Sequence, residues 1–280
     1  MPELPEVEVL ARHLRPLLLG KTIRSVTVHR ERVTRPTPPS KLEKVLTGAK
    51  FKDLSRRGKY ILFQLQPKNS KTPLTVLGHL GMTGRMFLAM KKEKLPRHTA
   101  VVFNLGSHHF IYEDFRYFGR LTLDLSPLGA LGPEPWDLSA EIFAESLKRS
   151  RQPIKVKLLD QNLIAGVGNI YASEALFRAR ISPKLPANRL THAQTKNLLR
   201  AIRTVLNESI KAGSTVVLQK AGSESDALFY FDASDSRYYE RRLRVYDRAG
   251  KPCLNCGSKI VRITQAVRST YFCPRCQRGN

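Results

Sequence analysis

The chain has no cysteine before residue 253, a single tryptophan, and 23 acidic residues against 48 lysines and arginines. No thiols are left over to staple a secreted scaffold, which fits a reducing compartment. The shortage of acids leaves a formal charge of +25 and a pI near 10.3, so the expected partner is a polyanion, most often nucleic acid. Charge alone would also suit a ribosomal or membrane-surface protein. No window approaches the roughly 18 uninterrupted apolar residues of a membrane span. The N-terminus lacks a basic leader region, so no secretory signal is expected. No internal repeat is present, and Gly166-Val167-Gly168 has neither a preceding strand nor the third glycine of a dinucleotide fingerprint.

What is present is concentrated at the two ends. The chain starts Met1-Pro2-Glu3-Leu4-Pro5-Glu6-Val7-Glu8. Trimming of Met1 is expected and would leave Pro2 as a free secondary amine. An α-amino group has a reference pKa near ~8, so a useful fraction is neutral and nucleophilic near pH 7. A secondary amine that attacks a sugar aldehyde carbon gives an iminium ion that cannot lose a proton from nitrogen, a fixed electron sink. Glu3 is placed to manage a proton beside it. Taken alone, Pro-Glu reads as a leader before a helix. At the far end, Cys253-x-x-Cys256 and Cys273-x-x-Cys276 are separated by sixteen residues. That spacing predicts a tetrahedral zinc site of four thiolates on a hairpin, closed to substrate and therefore structural. Residues 247–278 carry seven basic residues and one acid, which suits a phosphate backbone.

Between the ends the pattern changes twice. Val7, Leu10, Ala11, Leu14 and Leu18 predict an amphipathic helix that Pro16 kinks or ends. Short runs at 25–28, 60–65, 74–77, 85–89, 100–105, 109–113 and 120–125 predict a sandwich or barrel. Residues 126–137, with three prolines, read as a linker. Helices are then expected at 156–161 and 170–178, joined by a turn whose glycines open a helix N-terminus to a phosphate. Thr191-x-x-Gln194 is a capping box that opens a helix with Leu198, Leu199, Ile202, Val205, Leu206 and Ile210 in one stripe, ended by Gly213. Residues 214–240 read as an ordered, irregular loop. The class is α+β multidomain, with boundaries expected at 1–126, 127–243 and 244–280.

Together these stretches resemble the formamidopyrimidine-DNA glycosylase (Fpg/MutM) family over nearly the whole chain. The resemblance is carried by residues 2–8, Arg57-Gly58-Lys59-Tyr60, His79-Leu80-Gly81-Met82-Thr83-Gly84, Leu131-Gly132-Pro133-Glu134-Pro135, 166–172 and 268–276. It implies an N-terminal β-sandwich with a leading helix, a helix–two-turns–helix domain and a zinc-finger β-hairpin holding one Zn²⁺. The implied partner is double-stranded DNA containing a damaged base or abasic site, the molecule a monomer, and the setting the bacterial cytoplasm and nucleoid. The implied reaction is excision of oxidised purines by Pro2, followed by β,δ-elimination. Lys59 matches the proton donor of β-elimination, although by itself it reads as one exposed base in a basic run. Arg268 matches the finger arginine of δ-elimination; a guanidinium is a poor acid, so clamping of phosphates is the more physical role. Glu6 matches a site-shaping glutamate. Asn169 matches a phosphate-contacting asparagine that equally suits a helix N-cap, with Lys155, Arg151 and His98 as further DNA contacts. Met82, Arg116 and Phe118 match the three residues that fill the hole left by a flipped base.

Two departures stand out. The family pattern Asp-x-Arg-Arg-Phe-Gly reads Asp114-Phe115-Arg116-Tyr117-Phe118-Gly119, so Tyr117 replaces a DNA-contacting cation. Residues 214–240, which cover the extruded base in the family, lack its signature, leaving oxidised pyrimidines or bare abasic sites as competing substrates. A catalytically silent damaged-DNA binder on the same scaffold would bind in a salt-dependent way without cutting. A ribosome-associated protein would prefer RNA.

Overall fold

The computed structural model describes residues 2–213, 217–220, 229–232 and 243–278. These fall into two compact units. The first comprises residues 2, 6–129, 217–220 and 229–232, and the second residues 3–5, 130–213 and 243–278. Among the described residues no helix is long and apolar enough to cross a membrane.

Helix α1 spans Leu4–Leu18 and buries Val7, Leu10, Ala11, Leu14 and Leu18 as the spacing predicts. Pro16 does not end it. The ring lies on the exposed face, where water can satisfy the carbonyl its missing N–H leaves, and the helix continues to a Leu19 N–H to Arg15 carbonyl bond of 2.9 Å.

The first unit is a sandwich of two four-stranded antiparallel sheets. One has the order β1 (Ser25–Val28), β6 (Thr99–Asn104), β7 (His108–Asp114), β5 (Gly84–Met90). The other runs β2 (Lys50–Arg57), β3 (Tyr60–Gln66), β4 (Leu74–His79), β8 (Arg120–Thr122). Phe51 and Phe63 of one sheet meet Phe110 of the other at centroid distances of 6.3 and 5.7 Å, and Phe103 lies 5.3 Å from Phe110. Edge-on and tilted contacts at these distances suit the ring quadrupoles. Helix α2 (Pro39–Leu46) and strand β2 were not expected from sequence. In β2 the register shifts between Phe51 and Asp53, a bulge that breaks the alternation a strand would show. Strands β9 (Val217–Lys220) and β10 (Phe229–Asp232) pair antiparallel within the stretch read as irregular; the rest of 214–240 lies outside the described residues.

The second unit is helical around a core of Leu4, Phe143, Leu158, Ile164, Val167, Tyr171, Leu198, Ile202 and Leu206. After a short turn of helix, α3 (Ser126–Gly129), which lies in the first unit, come α4 (Ala140–Lys148), α5 (Ile154–Lys157), α6 (Asn169–Arg178) and α7 (His192–Lys211). Both bonds of the Thr191/Gln194 capping box form, at 3.2 and 2.9 Å. Val205 and Ile210 are only partly buried at the edge of the α7 stripe, and Gly213 follows the helix at φ 80°. The helix expected at 156–161 is one turn, 154–157. Pro153 starts it, and the following turn is fastened by Lys157 on Asp160 at 2.7 Å. Residues 135–138 are no slack linker: Arg203 donates to the carbonyls of Pro135, Trp136 and Leu138 at 2.8, 3.3 and 2.6 Å. The cysteine hairpin, β11 (Val261–Gln265) and β12 (Arg268–Phe272), belongs to this unit. Buried Glu174 of α6 accepts the N–H groups of Arg244, Val245 and Tyr246 at 2.8–3.0 Å, and Phe177 packs with Val245, Ile260 and Tyr271.

One half-buried histidine fixes the turn after β4. His79 Nδ1 accepts from the Gly81 N–H at 3.1 Å, and Gly81 stands at φ 60° in front of Met82. Burial, with Lys59 and Arg120 adding to it and Asp114 opposing, pushes the imidazole down to about 4. Unfolded histidine titrates near ~6.5, so between these values the unfolded chain binds a proton that the native chain refuses. The contribution is fully present above pH ~6.5 and is lost as pH falls through about 4. Thermal melts of the wild type should therefore drop across that window more steeply than those of His79→Gln; parallel pH profiles would show that this ring is not the acid-sensitive group.

Candidate active site

In the second unit the N-terminus of α6 is built around Glu3. The Glu3 carboxylate accepts the Ile170 N–H at 2.8 Å and the Tyr171 N–H at 3.3 Å. These first-turn donors are unpaired within any helix and favour an anion. The sequence pointed to a phosphate here; the structure gives those N–H groups to the chain's own carboxylate. The two glycines before the helix make that approach close. A Cβ on Gly168 would stand 2.3 Å from the Glu3 carboxyl carbon, and one on Gly166, at φ 87°, would stand 2.4 Å from a Leu4 methyl. Gln161 locks the same turn, donating to the Val167 carbonyl at 2.8 Å while accepting from the Gly166 N–H at 2.9 Å. Leu4 N–H donates to the Gly166 carbonyl at 3.1 Å.

Asn169, at the first position of α6, turns its amide to the Ser269 carbonyl at 3.0 Å. Lys155 donates to the Asn169 side-chain oxygen and lies 3.4 Å from the Ser269 carbonyl. It is fully buried, so the structure places it beneath Asn169 rather than on the surface where a backbone-contacting lysine was expected. Burial and nearby Arg268 push its ammonium down to about 8, against the pull of Glu3. Glu3, Lys155, Asn169 and Arg268 are thus one polar group, while Arg151 is exposed. Arg268 opens β12 after the two-residue turn Ala266-Val267, whose φ values of 44° and 55° are both in the left-handed region. Glycine or asparagine normally fills such a hairpin turn.

In the second unit's finger, the four cysteine Sγ atoms lie within 4.8 Å of one another, with Cys253–Cys276 at 3.9 Å and Cys256–Cys273 at 3.4 Å. Zn–S bonds of about 2.3 Å require tetrahedral edges of about 3.8 Å, so the thiolate set fits one structural zinc.

The first unit carries Pro2, Glu6, Lys59, Met82, His98, Arg116, Tyr117 and Phe118. Pro2 is half-buried; Glu6 and Lys59 are buried, at 1% and 8% exposure. Met82, Arg116 and Phe118 come together at the surface. Arg116 Nη1 lies 3.3 Å from the Met82 sulfur, and its guanidinium sits 4.6 Å from the Phe118 centroid. Buried Asp114 holds their loop, accepting from Thr83 Oγ1 at 2.6 Å, Arg116 N–H at 3.2 Å and Gly119 N–H at 2.8 Å. His98 Nδ1 is 3.5 Å from the Tyr117 hydroxyl. Asp114, Gln161 and His79 stand in stretches quoted from the sequence but were given no role there, because a lone polar residue has no periodicity to betray that its partners are backbone groups.

The formamidopyrimidine-DNA glycosylase N-terminal domain model matches residues 1–121, the H2TH domain model of the same family residues 131–220, and a zinc finger found in FPG and IleRS residues 250–279. A formamidopyrimidine-DNA glycosylase of Symbiobacterium thermophilum is 39% identical over 99% of this chain and 89% of its own. A Lactococcus lactis FPG variant in complex with Fapy-dG-containing DNA superposes with a TM-score of 0.87 at 32% identity, covering 99% of this chain and all of that one. The wild-type Lactococcus protein with DNA containing an oxidised pyrimidine gives 0.86 at the same identity and coverage. Three matched modules in one order, and a sandwich, helical core and four-thiolate hairpin where they fall, place the chain in the formamidopyrimidine-DNA glycosylase family.

Proposed function

We propose that this chain is a bifunctional DNA glycosylase and abasic-site lyase of base excision repair, acting as a monomer on double-stranded DNA in the bacterial nucleoid. The observation that carries the reading is the carboxylate of Glu3, the residue joined to Pro2, held by two backbone N–H bonds against a glycine whose missing Cβ makes room for it. A damaged base within a duplex must be extruded before chemistry can reach it. Met82, Arg116 and Phe118 fill the space left in the stack, with Arg116 placed to hydrogen-bond the orphaned base.

The chemistry then follows from an amine, a carboxylate and fixed cations. The Pro2 nitrogen attacks C1′, and the C1′–N bond to the base breaks with its electron pair leaving on the base. Glu3 handles the proton at the sugar ring oxygen, so the ring opens and C1′ becomes an iminium carbon. Removal of a C2′ proton gives an enamine, its electrons neutralising the iminium nitrogen. The nitrogen pair then returns, a C2′=C3′ double bond forms, and the C3′–O bond breaks with its pair leaving on the 3′ phosphate; δ-elimination then expels the 5′ phosphate. Lys59 supplies a proton in β-elimination. Arg268 clamps the adjacent phosphates bidentately, and Asn169, Arg151 and His98 add backbone contacts. Lys155 positions Asn169 from below, and Glu6 shapes the pocket. Zinc holds the hairpin that presents Arg268. Oxidised purines are the first substrate class, and oxidised pyrimidines the second reading, favoured by the divergent 214–240 segment.

Borohydride should trap a covalent complex with abasic-site DNA that Pro2→Gly abolishes, and mass spectrometry should find Met1 removed; absence of trapping by zinc-loaded protein sinks the covalent route. On a panel of single-lesion duplexes, oxidised purines should be released fastest. Gly168→Ala should reduce base release by ~100-fold or more, since a misplaced catalytic group costs rates of that order, with melting changed by only a few degrees; unaltered release would mean that Glu3 tolerates displacement. Chelation of zinc should abolish nicking while the first unit keeps its melting transition, and re-addition should restore it. Activity that survives complete metal removal would dissociate the finger from function.

A further inference from the structure

In the first unit, two stretches distant in sequence, 29–32 and 115–118, meet at an exposed patch. Tyr117 stands at φ 53°, a left-handed conformation unusual for an aromatic residue. The loop on either side is fixed: the Arg116 N–H donates to Asp114 and Thr83, and the Gly119 N–H to Asp114. The buckle turns the Tyr117 hydroxyl toward Arg30, which donates through Nε at 3.1 Å and lays its guanidinium 5.5 Å from the ring centroid. Arg30 Nη1 donates to the His29 carbonyl at 3.2 Å. Beside them Arg32 lies 5.6 Å from the Phe118 ring.

Five arginines are paired with carboxylates: Arg12 and Arg56 with Glu8, Arg15 with Asp53, Arg35 with Glu31, Arg178 with Glu208. Among the described residues, Arg30 and Arg32 have no carboxylate partner; Glu31 between them is taken by Arg35. Arg30 is instead fixed by a ring, a hydroxyl and a carbonyl, none of which neutralises it. Its Nε and Nη1 are spent inside the protein, and the exposed side chain keeps the Nη2 edge for another acceptor. An oriented, uncompensated guanidinium beside exposed apolar wedges fits an anion supplied by the bound partner, and on DNA that anion is a phosphate.

We infer that Arg30, held in place by Tyr117, is a phosphate-binding residue of the DNA interface, and that Tyr117 acts as its support and not as a phosphate ligand itself. This rests on the reading that the chain acts on duplex DNA.

The test is the salt dependence of binding to a duplex carrying a stable abasic-site analogue, with nicking of a true abasic duplex measured alongside. Arg30→Ala should weaken binding several-fold and lower the log–log salt slope by about 0.9, one phosphate's worth of released counterion. Arg30→Gln, which keeps a donor but loses the charge, should lower the slope equally, and Arg30→Lys should restore it. Tyr117→Phe should weaken binding in the wild-type background and do nothing further in Arg30→Ala. Lys148→Ala, on the surface of α4 in the second unit, is the control and should leave the slope unchanged. Wild-type protein that nicks while Arg30→Ala and Arg30→Gln keep the full slope overturns this inference alone. Additive effects of Tyr117→Phe and Arg30→Ala overturn the supporting role. Wild-type protein that neither nicks nor prefers the abasic duplex overturns the functional reading on which it rests.

Discussion

The second unit is organised by one carboxylate at a helix end. Glu3 occupies donors that every helix leaves unpaired, and the clamp is tight because Gly168 offers no Cβ and Gly166 adopts a left-handed conformation over Leu4. A charged acceptor on two backbone N–H groups is among the stronger hydrogen-bonded arrangements, worth roughly 1.5–3 kcal/mol per bond. The same helix holds Asn169 on the Ser269 carbonyl and Glu174 on three N–H groups of the segment leading to the cysteines. Glu3, Asn169 and the segment leading to the cysteines are therefore fixed by one short helix.

The legible parts of the fold were those governed by period or by covalent spacing. The buried positions of α1 and α7, the capping box and seven of the strands follow from side-chain alternation and helical stripes, and the zinc hairpin follows from cysteine spacing alone. What was missed has a common cause. Strand β2 hides behind a bulge, α2 is short and starts at consecutive prolines, and 154–157 is a single turn whose neighbours are fixed by turn bonds. Each is too short or too irregular to show a sustained period.

The candidate site was legible as a set of residues and not as an arrangement. Pro2, Glu3, Lys59 and Arg268 could be named from motifs, but that Glu3 would displace a phosphate from the α6 N-terminus needed coordinates. Lys155 shows the limit most clearly: a lysine in a basic protein reads as surface charge, yet it is fully buried and its ammonium is shifted down to about 8. Tyr117 shows the converse. It reads as the loss of a cation, yet its hydroxyl accepts from one, Arg30, whose guanidinium lies over its ring.

The tip of the cysteine hairpin carries a different implication. Ala266 and Val267 both adopt backbone angles that a branched side chain resists, and Val267 is 94% exposed, so no packing offsets the conformational strain. Thermostability alone would favour asparagine and glycine there. Asparagine and glycine at these two positions would relieve that strain beside Arg268 and would free the loop to change the direction in which it projects.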